Sequence, residues 1–359
     1  MGDTLLKNTD HGLYCAAGGF HIDPWRPVES AIITHAHSDH ARAGSRQYLC
    51  ARPGAEILAA RLGPTASIQS LPFGETIDHQ GVRISLHPAG HILGSAQVRI
   101  EYRGEVWVVS GDYKTESDGL NEPFAPVRCH TFVTESTFGL PIYRWQPQQE
   151  IFDDLNGWWR QNQERGRTTV LFCYALGKAQ RLLSGLDPSQ GPIFIHGAVD
   201  RFMDAYKRQG ARLPPTAHAV AAAIRSAAGR GIVIAPTSAD NSPWLSKLGD
   251  TATAFASGWM QIRGARRRRA LDRGFVLSDH ADWNGLHATI KATGASTIWV
   301  THGYTAPMVR WLRENGWQAE ALKTQFEGEV DDAADSGNSG HAVPRSGEPD
   351  SSDAGVPNS

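Results

Sequence analysis

The chain has 359 residues, 40% of them apolar and 20% charged, and a net charge of −2 with histidine neutral. That length suits two domains, or one large domain with a big insertion, and the composition suits a packed core. Met1–Asp10 holds Lys7 but leads into no apolar segment, so no signal peptide is expected. No apolar stretch approaches the ~20 residues that cross a bilayer, which makes the expectation a soluble, cytoplasmic protein. Cys15, Cys50, Cys129 and Cys173 are scattered without a CxxC pair. That excludes a zinc ribbon, argues against a disulfide framework, and fits core thiols in a reducing compartment.

In chain order, the first part reads as short strands between turns. Ala31–Thr34 is a buried apolar run, Val82–Leu86 and Gln97–Tyr102 alternate, and Glu105–Val109 and Thr131–Thr134 follow. Arg103-Gly104 reads as a hairpin turn. Near Gln146 the character changes. A helix over Ile151–Arg160 precedes a strand at Thr169–Tyr174 and a helix through Arg181–Leu183. Pro192–His196, a helix at Phe202–Arg208 and the strand Ile232–Ala235 continue the alternation, which predicts a parallel α/β layer. Strand–loop motifs return at Phe275–Leu277 and Thr297–Val300, and a helix runs from about Thr305 to Glu314 with Gly316 just beyond. From Glu327 the chain is rich in Ser, Gly, Asp, Ala and Pro, and is expected to be disordered. That tail has eight acids against Arg345 alone, a net of −7, so the body before it carries +5. A modestly basic body is compatible with a polyanionic substrate.

The strongest chemical signal is Thr34-His35-Ala36-His37-Ser38-Asp39-His40, delivered to a loop by the run Ala31-Ile32-Ile33. Three imidazoles and a carboxylate suit zinc or manganese. One short loop cannot wrap them all around a single ion. Alternate residues face different sides, so His35 and His37 would hold one metal while Asp39 and His40 reach another. Further ligand types stand at strand ends beside glycine: His91 in Gly90-His91, Asp112 in Gly111-Asp112, and His302 in His302-Gly303.

This order of motifs, with Asp23 in Ile22-Asp23-Pro24-Trp25 upstream, resembles the metallo-β-lactamase fold. Glu135 in Val133-Thr134-Glu135-Ser136-Thr137 resembles motif A of the β-CASP nucleases, and His280 in Ser278-Asp279-His280-Ala281 resembles motif B, leaving His302 as motif C. Ala175-Leu176-Gly177-Lys178-Ala179-Gln180 is similar to a common β-CASP element, and Gly258-Trp259-Met260 with the arginine-rich stretch before His280 is most similar to bacterial ligase-associated DNA exonucleases.

The resemblance spans Leu13 to about Leu322 and implies an α/β fold: an αβ/βα sandwich in two parts, 1–145 and 271–326, with a β-CASP domain at 146–270 inserted between them and the tail at 327–359. It implies two divalent metal ions, Zn2+ and/or Mn2+. His35, His37 and His91 would bind the first; Asp39, His40 and His302 the second; Asp112 would bridge. It also implies a hydrolase that cuts phosphodiester bonds. His280 would be the general acid, with a further metal ligand or a core histidine as the alternative, and Glu135 would orient it. Asp23 would orient His40 or cap a loop.

Arg263, Arg266, Arg267, Arg268, Arg269 and Arg273, with Lys178, are the candidate nucleic-acid contacts, since arginine forks match phosphate geometry. Trp25, Trp259, Trp283 and Trp311 are candidates for stacking bases, with core or domain-seam positions as the alternative. Similarity to the ligase-associated exonucleases points to DNA, to exonuclease action in DNA repair, and to a DNA ligase or helicase as partner. The histidine at motif C points instead to an RNA-processing ribonuclease. A thioesterase or lactam hydrolase on the same fold would not need the insertion, Glu135 or His280. A non-catalytic nucleic-acid-binding scaffold would not keep every ligand position filled.

Overall fold

A computed structural model of the protein describes residues 4–262 and 271–324. Arg263, Arg266, Arg267, Arg268, Arg269 and the acidic tail lie outside the described residues. Two sheets build the body. In the first, the strands Lys7–Thr9, Gly12–Cys15, Phe20–Ile22, Ser30–Ile32, Gln47–Ala51 and Ile68–Leu71 lie side by side in chain order. The second has the order Gln318–Ala321, Thr297–Gly303, Thr131–Ser136, Glu105–Val109, Ala96–Tyr102, Val82–Pro88 and Thr76–His79. Arg103 and Gly104 form the expected two-residue turn between Ala96–Tyr102 and Glu105–Val109, both with positive φ, as a primed hairpin turn requires.

The alternation along each strand decides how the sheets stack. Leu13, Phe20, Ile22 and Ile32 of the first sheet meet Val82, Ile84, Val98, Ile100 and Val109 of the second in one core. The opposite face of the second sheet, with Val108, Phe132 and Ile298, is covered by Leu286 and Ile290 of the helix Trp283–Thr293 and by Met308 and Leu312 of the helix Thr305–Glu314. Ile33, Tyr48 and Cys50 on the outer face of the first sheet are covered by Ile57 and Leu58 of the helix Ala55–Leu62. The result is the helix–sheet–sheet–helix order of the expected sandwich. None of the four cysteines forms a disulfide among the described residues, and all four are buried.

A third, wholly parallel sheet has the order Ala217–His218, Ile193–Ile195, Ile232–Ala235, Thr168–Phe172, Thr251–Ala256 and Arg273–Phe275. Thr168–Phe172 and Ile232–Ala235 are buried at every position, as strands sandwiched between helices must be. The helices Gln148–Glu164 and Lys178–Ser184 supply Leu155, Trp159, Leu182 and Leu183 to one face. The strand expected at Phe275–Leu277 sits at Arg273–Phe275 and pairs at the edge of this sheet. No helix among the described residues is long and apolar enough to cross a membrane.

Candidate metal centre

The strand Ser30–Ile32 ends in a loop carrying His35, His37, Asp39 and His40; a turn from His37 O to the amides of His40 and Ala41 folds it back. His91 follows Val82–Pro88, Asp112 follows Glu105–Val109, and His302 lies in the last turn of Thr297–Gly303. These strand ends converge on Asp112. Its Oδ2 stands 3.6 Å from His35 Nε2, 3.5 Å from His40 Nε2 and 3.8 Å from His91 Nε2, and its Oδ1 is 2.9 Å from His302 Nε2. Donor atoms of His35, His37, His91 and Asp112 form one close group, and those of His40, Asp112 and His302 form another; Asp112 belongs to both. Asp39 Oδ2 lies 3.7 Å from His40 Nε2, and Asp39 shares a cavity of about 70 Å³ with Asp23, Trp25, His40 and His302. A larger cleft of about 880 Å³ between Asp118, Phe152 and Arg212 contains none of these side chains.

The outer nitrogens show what the inner ones must do. A backbone carbonyl only accepts, so His37 Nε2 donates to Leu176 O at 3.2 Å and His91 Nδ1 donates to Asp279 O at 2.8 Å. A neutral imidazole has one donor, so His37 Nδ1 and His91 Nε2 confront each other at 3.0 Å as two lone pairs. His35 Nδ1 meets Thr34 Oγ1 at 3.1 Å, while its buried Nε2 has no hydrogen-bond partner among the described residues. Facing lone pairs and an orphaned buried nitrogen are costly unless a cation sits among them. The residues therefore fit the two divalent ions that the motifs imply.

Electrostatics separates the two groups. Burial, reinforced by neighbouring imidazoles, holds His35 and His91 well below the ordinary histidine range, in the neutral form a metal ligand needs. Burial pushes His40 and His302 the same way, but the Asp112 charge outweighs it, helped at His40 by Asp39, and both are raised. Asp112 in turn, despite burial, is held well below the carboxylate range by His40 and His302.

Asp23 has φ of 44° and uses its carboxylate on three partners: Thr34 N at 2.7 Å, Thr34 Oγ1 at 2.5 Å and His40 Nδ1 at 2.8 Å. One carboxylate thus meets both His40 and the backbone amide of Thr34. Glu135, on Thr131–Ser136, accepts from Tyr113 N at 2.8 Å and from His280 Nδ1 at 2.9 and 3.0 Å; both partners are buried. The His280 ring is 4.6 Å from that of His91, and Asp112, Glu135 and His280 form a third close group.

Lys178 corrects an expectation. It is fully buried with Nζ 3.3 Å from Asp279 Oδ2, so its charge faces a protein carboxylate instead of a nucleic-acid phosphate. Arg273 is bound to Asp154 at 2.6 Å, at the edge of the parallel sheet. Trp25 borders the small cavity, whereas Trp283 and Trp311 flank His287 on the outer helices. The sequence reading missed Thr34, Thr301, Leu176 and Asp279. The repeated Thr-His step at 34–35 and 301–302 was a usable signal, since each hydroxyl stands 3.1 Å from the following Nδ1. Nothing local marked the two carbonyls.

No protein-family model matches the chain. It is 32% identical over 351 residues to a probable DNA ligase of Opitutus terrae, covering 96% of this chain and 34% of that protein. It is 29% identical over 205 residues to endoribonuclease ysh-1 of Neurospora crassa, covering 46% of this chain and 23% of that protein. The chain thus spans about a third and about a quarter of the length of these relatives. A crystal structure of a protein of unknown function from Enterococcus faecalis superposes with a TM-score of 0.56 at 10% identity, over 84% of this chain and 80% of that one, which shows a shared fold. With histidines delivered by strand ends of two stacked sheets, and a parallel sheet inserted over them, the chain belongs to the β-CASP branch of the metallo-β-lactamase superfamily.

Proposed function

We propose that the protein is a metal-dependent nuclease that hydrolyses DNA as an exonuclease in repair. The observation that carries the reading is the sharing of Asp112 between two histidine groups, with the His280–Glu135 pair alongside. Two divalent ions, Zn2+ and/or Mn2+, when bound there would acidify a water and neutralise charge on a phosphoryl group. The chain's own residues do the rest. His35, His37 and His91 would hold one ion and Asp39, His40 and His302 the other, with Asp112 common to the two groups. Glu135 accepts from His280 Nδ1 and orients the ring, and His280 gives a proton to the departing sugar oxygen. Asp23 keeps His40 in register.

DNA as the polymer is supported by the relative named as a ligase, in which a segment like this chain is joined to about twice its length of further sequence. The same fact supports a DNA ligase as working partner. A second reading, an RNA-processing nuclease, is favoured by the endoribonuclease relative and by His302 at motif C.

Digestion of 5′- and 3′-labelled DNA and RNA strands with Zn2+, Mn2+ or Mg2+ tests the proposal. Early release of single nucleotides from DNA, absent in Asp112→Ala, is expected. A ladder of fragments from RNA alone would replace it with the second reading. Cleavage of a thioester and of neither polymer, or undiminished activity in Asp112→Ala, would overturn both.

A further inference from the structure

Among the described residues, the parallel sheet reaches the metal centre through one short segment. After the strand Thr168–Phe172, Leu176 O accepts a hydrogen bond from His37 Nε2. Gly177 follows at φ 86°, and a Cβ there would stand 2.2 Å from Ile92 Cγ2, next to His91, so only glycine lets the segment come this close. The helix Lys178–Ser184 then aims two cations at the loop before His280. Arg181 Nη1 donates to Ser278 O and to Asp279 Oδ1 at 3.0 Å, its Nε donates to Gln148 Oε1 at 3.0 Å, and Lys178 Nζ lies 3.3 Å from Asp279 Oδ2. Asp279 O is the group that orients His91. Lys178, Arg181 and Asp279 are all buried.

We propose that Arg181, backed by Lys178, is a positioning residue for the ion held by His35, His37 and His91, acting through the backbone of Ser278 and Asp279. This rests on the reading of the histidine cluster as a metal centre. The physical reason is geometric. A single planar guanidinium ties Ser278 O, Asp279 Oδ1 and Gln148 Oε1 together, which fixes the direction of Asp279 O and hence the plane of the His91 ring. His37 is oriented by the same segment directly. Two of the three imidazoles at one end therefore take their orientation from the inserted sheet, and none of those at the other end does. His40 is oriented by Asp23, and His302 by Thr301.

The test titrates metal-free full-length protein with Zn2+ against a competing chelator, without nucleic acid, so the readout does not depend on nuclease activity. Arg181→Met should weaken one of the two Zn2+ equivalents by ~10–100-fold and leave the other within a few-fold. Arg181→Lys keeps the charge but loses the fork, and should recover only part of the affinity. Should Arg181→Met fail to fold, the triple variant Lys178→Met, Arg181→Met, Asp279→Leu leaves no buried charge unpaired and carries the same expectation. Arg167→Ala breaks contacts with Asp250 and Asp272 at the far end of the same sheet, and should lower stability without moving either Zn2+ affinity. Wild-type affinity in both Arg181→Met and the triple variant would overturn the proposal alone, as would equal weakening by Arg167→Ala. A wild-type chain that binds no Zn2+ would overturn the metal-centre reading and this proposal with it.

Discussion

The two ends of the histidine cluster share Asp112 and differ in almost everything else. At the His35–His37–His91 end the outer nitrogens meet a hydroxyl and two carbonyls, all neutral, and burial keeps His35 and His91 uncharged. At the His40–His302 end the surroundings are anionic: Asp23 at 2.8 Å and Asp39 at 3.7 Å from His40, and Asp112 against both rings. There burial is outweighed and the imidazoles are drawn toward positive charge. One residue type in one pocket is thus shifted in opposite directions, by burial at one end and by neighbouring carboxylates at the other. Each end invites a cation for its own reason, the first to separate lone pairs, the second to neutralise carboxylates.

The largest expected effect removes what the ends share. Asp112→Asn should abolish tight binding of both Zn2+ equivalents and lower kcat on the order of 10³-fold or more. Retention of one tight equivalent would mean the ends are independent. His280→Ala should come next, with kcat down ~10²–10⁴-fold and both Zn2+ equivalents kept. Loss of an equivalent would make His280 a ligand instead of a proton donor. Asp23→Asn separates the ends. It should weaken the second ion ~10–100-fold, spare the first, and be seen as a split in a chelator titration.

The smallest effect supplies a reference for both ends. His287 packs between Trp283 and Trp311, at ring-centroid distances of 4.0 and 3.7 Å, with neither ring nitrogen bonded and no carboxylate on it. Burial alone lowers it to about 4. Its unfolded value is about 6.5, so the unfolded chain binds the proton first as pH falls. The stability contribution is complete above about pH 6.5 and is lost as pH drops toward about 4. His287→Phe should flatten that part of the pH–stability curve by about 1 kcal/mol, after allowance for solvent screening, as read from urea melts between pH 7 and 4. Parallel curves for the two proteins would show that burial is not what keeps imidazoles neutral in this fold.

Much of the fold was legible because its signals are local. The helix expected at Thr305–Glu314 is observed with those bounds, and Ile232–Ala235 and Glu105–Val109 are likewise unchanged. The strands Lys7–Thr9, Gly12–Cys15 and Phe20–Ile22 were missed, being three or four residues long and too short to show a period. The helix Trp283–Thr293 went unread as well, because Leu286 and Ile290 are the apolar residues that mark its buried face, alongside Thr289 and Thr293. Lys178 was misjudged for a different reason. A lysine is seldom fully buried and so reads as available to a phosphate, and only the fold brings Asp279, far along the chain, within reach of it.

What the sequence by itself determined is the set of candidate groups: His35, His37, Asp39, His40, His91, Asp112, Glu135, His280 and His302, each placed by a strand end or a motif a few residues long. Side-chain type and local backbone suffice for that, because a strand followed by a tight loop delivers its residues to the sheet edge whatever else the chain does. Only the tertiary structure decided how those groups are aimed and charged. Orientation comes from Leu176 O and Asp279 O and from the buried Arg181, and charge comes from which carboxylates stand beside which rings. Backbone carbonyls carry no side-chain signature, and Coulomb interactions depend on distances that sequence separation does not encode.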